Sequence, residues 1–399
     1  MSTAAPFSEH DTTYSSPLIP SKAVPVASGQ VASRRLMFII EALTVGGAER
    51  MVIDIANALA ARGDDVHVVC LTTPGDLSNG LDASVHFHVL DKKPGIDISI
   101  VGKIRRLVTS LKIDVVNTHL WTANTWTRFA LSRSGIPVVV TEHNRDIWKK
   151  AHHRAIDRVL SHAMCRLVAV SEDTASFYRS DVGVASSKVC VVNNGVDTVY
   201  FAGGNGASLR EALAASHEVL IGTVGRLAEA KNHKRLIDAA VLLREWDFPI
   251  KVVIAGDGPL KAELYDYIAQ QQAEHFVSLL GTRSDIPDLL AALDVFVLSS
   301  DREGHPLSAL ESQAAGTPVV LTDAGGSADA VSRDGDACGG VLVQRTSTAL
   351  AEALRELLQD PNRLVDMAAF ARRHASDCFD KSTMVDQYSA IFDACRAPH

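Results

Sequence analysis

Two cationic residues, Arg226 and Lys231, follow an apolar run that predicts a β-strand over 219–224. Parallel strands carry the residues behind them to one edge of a sheet, so both cations can reach the same mouth. There they could stabilise a diphosphate leaving group without a metal, because they neutralise the charge that develops as its bond breaks. The alternative interpretation is a surface ion pair with Glu229.

A polar loop behind the predicted strand over 294–298 leads into a helix that we expect to begin at Pro306. Proline suits the first helical position. The free amides of this loop, including that of Gly304, form an anion site that the helix dipole strengthens. Glu303 and Glu311 flank the site and could accept hydrogen bonds from sugar hydroxyls. The alternative is one charge at a helix terminus and one solvated helix residue.

Two further features are weaker. Gly256 and Gly258 predict a tight strand-to-helix turn near the same edge, but without a third glycine they are no dinucleotide fingerprint. His119 stands at the end of a predicted strand over 114–120, where a structural histidine is the alternative to a functional one.

The first half of the chain alternates strands and helices, which predicts a parallel sheet covered on both faces. Its strands are expected at 36–40, 66–71, 85–90, 114–120, 137–142, 167–171 and 189–193. Its helices are expected at 48–61, 98–112, 121–134, 150–163 and 172–180.

A glycine-rich segment over 201–206 predicts an interdomain linker, and a second α/β series follows it. Strands are expected at 219–224, 250–255, 276–280, 294–298 and 318–322, and helices at 232–245, 259–273, 286–292 and 306–316. The tail over 347–396 is expected to be helical, with a break at Asp360-Pro361. Two Rossmann-like halves imply a cleft between them. One large open sheet and a two-domain binding protein remain as alternatives.

Composition excludes some classes of protein. A length of 399 residues suits two domains. The net charge of −8 argues against a nucleic-acid partner, which requires a concentrated basic face. No apolar run approaches the length of a membrane span. The first 34 residues are rich in Ser, Pro, Ala and Thr and lack an apolar core, so we expect a disordered leader rather than a signal peptide. Because the six cysteines form no C-x-x-C pair, we expect a reducing compartment and no structural disulfide.

In their order and spacing, these motifs resemble the retaining family-four glycosyltransferases of the GT-B fold over roughly 36–396. The residues that carry the resemblance are Gly46-Gly47-Ala48-Glu49, Asp114 to His119, Thr141-Glu142-His143-Asn144, Val170-Ser171, Asn194 to Asp197, Gly225-Arg226, Lys231-Asn232, Gly256 to Pro259, Glu303, Glu311 and Gly325-Gly326. The fold class that this implies is α/β, with two Rossmann-like domains whose parallel sheets face each other across a cleft. The resemblance places an acceptor-side domain at 35–197, a donor domain at 198–380 and a closing helix at 381–396 that packs back on the first domain.

The resemblance also implies a role for each matching residue. Arg226 and Lys231 would bind the donor diphosphate, Glu311 the ribose, and Glu303 the transferred sugar. His119 would lie near the anomeric carbon, which completes a catalytic set of His119, Arg226, Lys231 and Glu303. The rest of the donor site would be Gly46, Gly47, Gly256, Gly258, Gly304, His305, Pro306, Leu307 and Glu311. His143 and Asn144 would contact the acceptor.

The sequence departs from the family pattern in three places. His305 stands where many members have an apolar residue, Asp329 stands where a glutamate is usual, and Asn117 stands where a histidine is often seen. The first difference leaves the sugar specificity of that loop open. Since none of them removes a proposed charged residue, an active enzyme is expected.

The implied reaction moves a sugar from a UDP- or GDP-sugar to a glycan or lipid-linked acceptor in cell-surface polysaccharide, lipopolysaccharide or glycolipid synthesis, with retention of configuration. No cofactor and no metal are expected, since Asp334-Gly335-Asp336 predicts a turn. We expect a cytoplasmic protein. The basic segment over 144–158 suits contact with an anionic membrane, or else a solvated helix. The alternatives are another GT-B enzyme, such as a nucleotide-sugar epimerase or a phosphorylase, and a non-catalytic nucleotide-sugar binding protein.

Overall fold

The computed structural model describes residues 33–396 of the chain. The predicted leader therefore lies outside the described residues except for its last two positions. The second of these, Arg34, is buried and forms an ion pair with Asp64.

The first half of the described chain forms a seven-stranded parallel sheet in the order β3-β2-β1-β4-β5-β6-β7. Its strands are β1 Arg35–Ile40, β2 Asp65–Cys70, β3 His86–Val89, β4 Val115–His119, β5 Val138–Glu142, β6 Arg166–Ala169 and β7 Val189–Val191. Its helices are α1 Gly47–Ala61, α2 Ser99–Ser110, α3 Trp121–Leu131, α4 Ala151–Leu160 and α5 Glu172–Phe177. The Val- and Ile-rich strands are buried on both faces, as the apolar runs predict.

The second half forms a separate six-stranded parallel sheet in the order β10-β9-β8-β11-β12-β15, which excludes the single open sheet. The strands of this half are β8 Val219–Val224, β9 Ile250–Ala255, β10 Val277–Gly281, β11 Val295–Leu298, β12 Val319–Thr322, the antiparallel pair β13 Arg333–Asp334 and β14 Ala337–Cys338, and β15 Gly340–Val343. The helices are α6 Thr198–Ala202, α7 Ala207–Leu213, α8 His233–Glu245, α9 Lys261–Gln270, α10 Ile286–Ala292, α11 Leu307–Ala315, α12 Ser347–Leu358, α13 Pro361–Cys378 and α14 Lys381–Arg396.

The chain passes between the sheets twice. It leaves the first sheet after β7 and returns at the start of α14, where Val196 and Asp380 form a β-bridge. The helix α14 packs on α1 and β4, and its Tyr388 and Phe392 are fully buried in the core of the first sheet. The first core is thus completed by the end of the chain.

The predicted linker over 201–206 is wrong. Gly204 and Gly206 pack so closely on α10 that a Cβ at either position would overlap its backbone, so this segment belongs to the second domain. The tail also breaks a second time, between α13 and α14, and β15 was not among the predicted strands.

The prediction that the chain has no structural disulfide is also wrong. Cys165 and Cys395 form a disulfide with Cα atoms 6.1 Å apart. The two residues are 230 positions apart, so their spacing carries no signal, and only the return of α14 to the first domain brings them together. Within residues 33–396, no helix combines the length and the hydropathy of a membrane span.

Candidate functional site

Lys231 and Glu303 meet at the carboxyl edge of the second sheet. Lys231 Nζ lies 2.6 Å from Glu303 Oε1, and the hydroxyl of Ser300 donates a hydrogen bond of 2.5 Å to the same oxygen. The glutamate is almost buried and the lysine partly exposed. Lys231 thus forms its ion pair with Glu303 and not with Glu229, so an ammonium and a carboxylate are in contact at this edge.

Arg226 lies at the same edge and is exposed. Burial raises the pKa of Glu49, in the first turn of α1, and the nearby guanidinium of Arg226 partly offsets this rise. Since Glu49 belongs to the first domain, Arg226 faces that domain across the cleft.

Gly256 and Gly258 support this arrangement by close packing. A Cβ at Gly256 would overlap the carbonyl oxygen of Gly225, and one at Gly258 would overlap that of Leu227. Gly256 also has a φ of +142°, which side chains rarely adopt. The two glycines thus lie against the backbone that carries Arg226.

Glu311 lies on α11, which begins at Leu307 with Pro306 as its N-cap, one residue later than expected. Its Oε1 lies 2.9 Å from Arg50 Nη1 on α1, so this ion pair joins the two domains. Burial raises the pKa of Glu311, and the charge of Arg50 opposes that rise. Sequence reasoning missed Arg50. The signal was its place one helical turn after Gly46-Gly47, on a helix whose first turn faces the cleft.

Backbone contacts also join the domains at the glycines of the site. A Cβ at Gly304 would overlap the carbonyl oxygen of His143, and one at Gly47 would lie 3.4 Å from Leu307 Cδ1. Gly46 packs instead on Glu49 of its own helix. Asp329 crosses the cleft as well, and its Oδ2 accepts a hydrogen bond of 2.6 Å from the amide of Glu172 at the start of α5. The two halves are therefore in direct contact along the cleft.

His119 and His143 form a hydrogen-bonded pair, because β4 and β5 are neighbours and end side by side. Asn117 determines which nitrogens of the two histidine rings carry a proton. Its Nδ2 donates to the carbonyl of Val139, so its Oδ1 faces His119 Nε2 at 2.8 Å. His119 Nε2 therefore carries the proton, and His119 Nδ1 accepts one from His143 Nε2 at 3.0 Å. Burial lowers the pKa of His143 to about 4 and that of His119 well below its usual value, so both rings are neutral at pH 7.

His143 also lines a pocket of about 210 Å³ in the first domain. We call it the acceptor-side pocket, and its lining includes Glu41, Trp121, Glu142, Asn144, Asp146 and Trp148. Asn124 Nδ2 donates to Glu142, whose pKa burial raises to about 7 despite the nearby Lys149. His119 is fully buried behind His143 and does not line this pocket.

Asn144 also lines a second pocket, of about 320 Å³, that opens between the domains beside Glu303. Its charged lining includes Arg145, Asp173, Arg302 and Arg345. Asn144 of the first domain thus borders both the acceptor-side pocket and the pocket that contains Glu303 of the second domain.

His305 lies in the structure away from these pockets. Its ring is buried against Phe379, its Nδ1 accepts a hydrogen bond of 3.2 Å from the amide of Asn194, and its carbonyl accepts from Asn194 Nδ2. Burial lowers its pKa to about 4. The ring therefore holds the crossing segment between the domains.

Over residues 33–396, no three His, Cys, Asp or Glu side chains cluster in a geometry that could hold a metal ion. The charged groups at the carboxyl edge of the second sheet are the cations and carboxylates described above.

Two Rossmann-like domains that face each other across a cleft define a GT-B-type protein, and comparisons with known proteins agree. The model of Glycosyltransferase Family 4 matches residues 45–200, and that of Glycosyl transferases group 1 matches residues 207–374. The chain belongs to the family-four glycosyltransferases, as its motifs predict, and is a glycosyltransferase.

Two curated relatives have similar sequences. The UDP-Gal:alpha-D-GlcNAc-diphosphoundecaprenol alpha-1,3-galactosyltransferase of Escherichia coli is 29% identical over 303 residues, which cover 71% of this chain and 77% of that one. The D-inositol 3-phosphate glycosyltransferase of Nocardiopsis dassonvillei is 28% identical and covers 88% of this chain and 90% of its own. The crystal structure of Anabaena HepE in complex with UDP superposes with a TM-score of 0.80 at 22% identity, over 90% of this chain and 100% of that one.

Proposed function

We propose that this chain is a retaining, metal-independent transferase that moves a sugar from a UDP-sugar to a lipid-linked glycan acceptor. One observation carries the proposal. Lys231 and Glu303 are in contact at the edge where Arg226 also lies, with Glu311 one helix away. Two cations near two carboxylates support this proposal, because the cations suit a diphosphate and the carboxylates suit sugar and ribose hydroxyls.

Donor binding would change the ion-pair partners of the charged side chains at this edge. The diphosphate would take over Lys231 and Arg226, and Glu303 would then be free to accept hydrogen bonds from the sugar. Because contacts such as Gly304 with His143 and Arg50 with Glu311 join the domains, entry of the donor requires the two halves to separate. Closure would then exclude water from the reacting bond.

In the proposed reaction, the bond between the anomeric carbon and the diphosphate oxygen breaks. The acceptor oxygen bonds to that carbon from the same face, and its proton passes to the departing diphosphate. The neutral His143 Nδ1 can accept a hydrogen bond from an acceptor hydroxyl and thus orient it. Under this proposal the protein mainly positions the reactants and stabilises charge.

UDP is the donor base that we propose, with GDP as the alternative. The E. coli relative uses UDP-Gal by its name, and HepE was crystallised with UDP. The same relative's acceptor is a diphosphoundecaprenol-linked sugar, which supports a lipid-linked acceptor and a role in cell-surface polysaccharide, lipopolysaccharide or glycolipid synthesis. Such a reaction would take place at the cytoplasmic face of a membrane.

A thermal-shift screen of UDP, GDP and ADP in EDTA tests the donor site, because a ligand that binds only the folded state stabilises it by mass action. We expect the largest shift with UDP. A shift that appears only after Mg²⁺ is added would refute the metal-independent site. The anomeric configuration of the product, read by NMR, then tests retention. Tight UDP binding without transfer to any lipid-linked sugar would instead favour the non-catalytic binding protein.

A further inference from the structure

A wholly apolar groove lies on the outer surface of the first domain, between α3 and α4. We call it the α3–α4 groove; it has a volume of about 560 Å³, and the exposed atoms of its lining are all apolar. Its main lining residues are Ile98, Trp126, Phe129, Ile156, Val159 and Leu160. The volume falls within the range of ligand pockets, and an exposed apolar surface of this kind marks an interaction site.

The helix α4 buries its acidic residue and exposes apolar residues, the reverse of an ordinary surface helix. Its one acidic residue, Asp157, is buried between Arg128 at 2.5 Å and Lys149 at 2.9 Å. Its apolar residues Ile156 and Val159 face solvent, the latter with 69% of its surface exposed. Burying three charges while exposing apolar side chains is unfavourable unless something covers the apolar side.

The groove continues the acceptor-side pocket along a single helix face. Trp121 and Thr122 of α3 line that pocket, and Thr125, Trp126 and Phe129 line the groove. Residues four apart lie on one face of a helix, so the two sites follow each other over about 12 Å of α3. Trp121 and Trp148 of the pocket form edge-to-face ring contacts with each other and with His153 of α4.

The contrast between the two linings indicates the kind of molecule that spans both sites. Polar and acidic side chains such as Glu41, Asn144 and Asp146 line the acceptor-side pocket, whereas the exposed atoms of the groove are all apolar. A ligand that fits has a hydroxyl-bearing end for the polar pocket and a hydrocarbon chain for the groove.

We propose that the α3–α4 groove binds the first part of the hydrocarbon chain of the acceptor lipid, while the sugar of that lipid occupies the acceptor-side pocket. The groove is then part of the acceptor site and contacts the hydrocarbon chain of the lipid directly. This inference rests on the proposed function, since it assumes a lipid-linked acceptor.

Hexyl, heptyl, octyl and nonyl β-glucosides test the groove with the full chain, each titrated by calorimetry below its critical micelle concentration. Burial of a methylene predicts binding about threefold tighter for each added carbon. Val159→Glu should abolish this dependence on chain length, because it places a charge in the groove. Val365→Glu is the matched control, since Val365 is exposed to 67% on α13 and should leave the dependence unchanged.

UDP titrated into the same variants separates the two proposals. Failure of the wild type to bind any nucleotide would count against the proposed function. Normal UDP binding with no effect of chain length, or with an effect that Val159→Glu retains, would overturn the groove. Vesicles of phosphatidylcholine and phosphatidylglycerol provide the last arm. If Val159→Glu abolishes sedimentation with vesicles while the glucosides show no dependence on chain length, the groove contacts a bilayer. The proposal that it binds one hydrocarbon chain of the acceptor is then wrong.

Discussion

Arg50 and Glu311 form an ion pair of 2.9 Å that links the first helix of one domain to the helix α11 of the other. Half of the arginine side chain is exposed, whereas the glutamate is almost buried. We therefore expect substitutions of Glu311 and of Arg50 to differ in their effect on nucleotide binding.

We expect Glu311→Gln to weaken UDP binding by about tenfold or more, because a charged acceptor for the ribose hydroxyls contributes about 1.5 kcal/mol or more. Arg50→Gln should change UDP affinity by less than about threefold, since Arg50 only pairs with that carboxylate. Calorimetric titration of UDP measures both, with the exposed Glu352→Gln on α12 as a control. Equal affinities for Glu311→Gln and the wild type would remove Glu311 from the ribose site.

Arg226→Ala and Lys231→Ala should each lower kcat/KM by about 100-fold, since one preorganised charge contact contributes about 3 kcal/mol in the transition state. Their stabilities should differ. Arg226 is exposed, so its loss leaves the fold intact, whereas Lys231→Ala leaves the nearly buried Glu303 without its partner and lowers the melting temperature. Arg363→Ala, at an exposed site on α13, is the control. Wild-type turnover in Arg226→Ala would refute its role at the diphosphate.

The stability of the protein should depend on pH through His305. Burial lowers its pKa to about 4 in the folded state, while the unfolded chain takes up a proton near pH 6.5. The unfolded state therefore binds more protons between these values, and the folded state loses up to about 1 kcal/mol of stability per pH unit as the pH falls from 6.5 towards 4.

His305→Gln removes this titration, so its free energy of unfolding should rise relative to that of the wild type over the same interval. Urea unfolding at several pH values gives the difference. His275→Gln, at an exposed site before β10, is the control. A constant difference between His305→Gln and the wild type from pH 7 to pH 4.5 would contradict a buried neutral ring.

Reduction of the disulfide between Cys165 and Cys395 should lower the free energy of unfolding by about 2–4 kcal/mol, because the bond closes a long loop in the unfolded chain. Cys165→Ser should show the same loss without a reductant, and dithiothreitol should then have no further effect. Cys378→Ser, at an exposed free thiol, is the control. Identical melting curves for oxidised and reduced wild type would show that the bond does not stabilise the fold.

Most of the fold follows from local patterns in the sequence. The strands of both sheets lie within a few residues of the apolar runs, since parallel strands buried on both faces need continuous Val- and Ile-rich segments. The exception is β15, whose Gly340–Val343 is short and only partly buried. The glycine-rich segment over 201–206 indicated a linker because the close packing of Gly204 and Gly206 on α10 depends on a partner that is distant in sequence.

Candidate residues at the ends of strands were predictable in both domains, including His119, His143 and Asn144 in the first. Arg226, Lys231, Glu303 and Glu311 follow strands or open a helix, so their common edge can be inferred from element order. Contacts between the domains cannot be inferred in this way, because they depend on how two separate sheets dock. Arg50, Asp329 and the burial of His305 against Asn194 belong to this class.

The return of α14 to the first domain affects the order in which the two domains can fold during synthesis. Residues such as Tyr388 and Phe392 fill the core of a sheet whose strands were translated first. The second half is complete in sequence before that helix leaves the ribosome, so it can fold during translation, whereas the first half must wait for α14. A nascent chain stalled before residue 381 would therefore carry a complete second domain beside an incomplete first one.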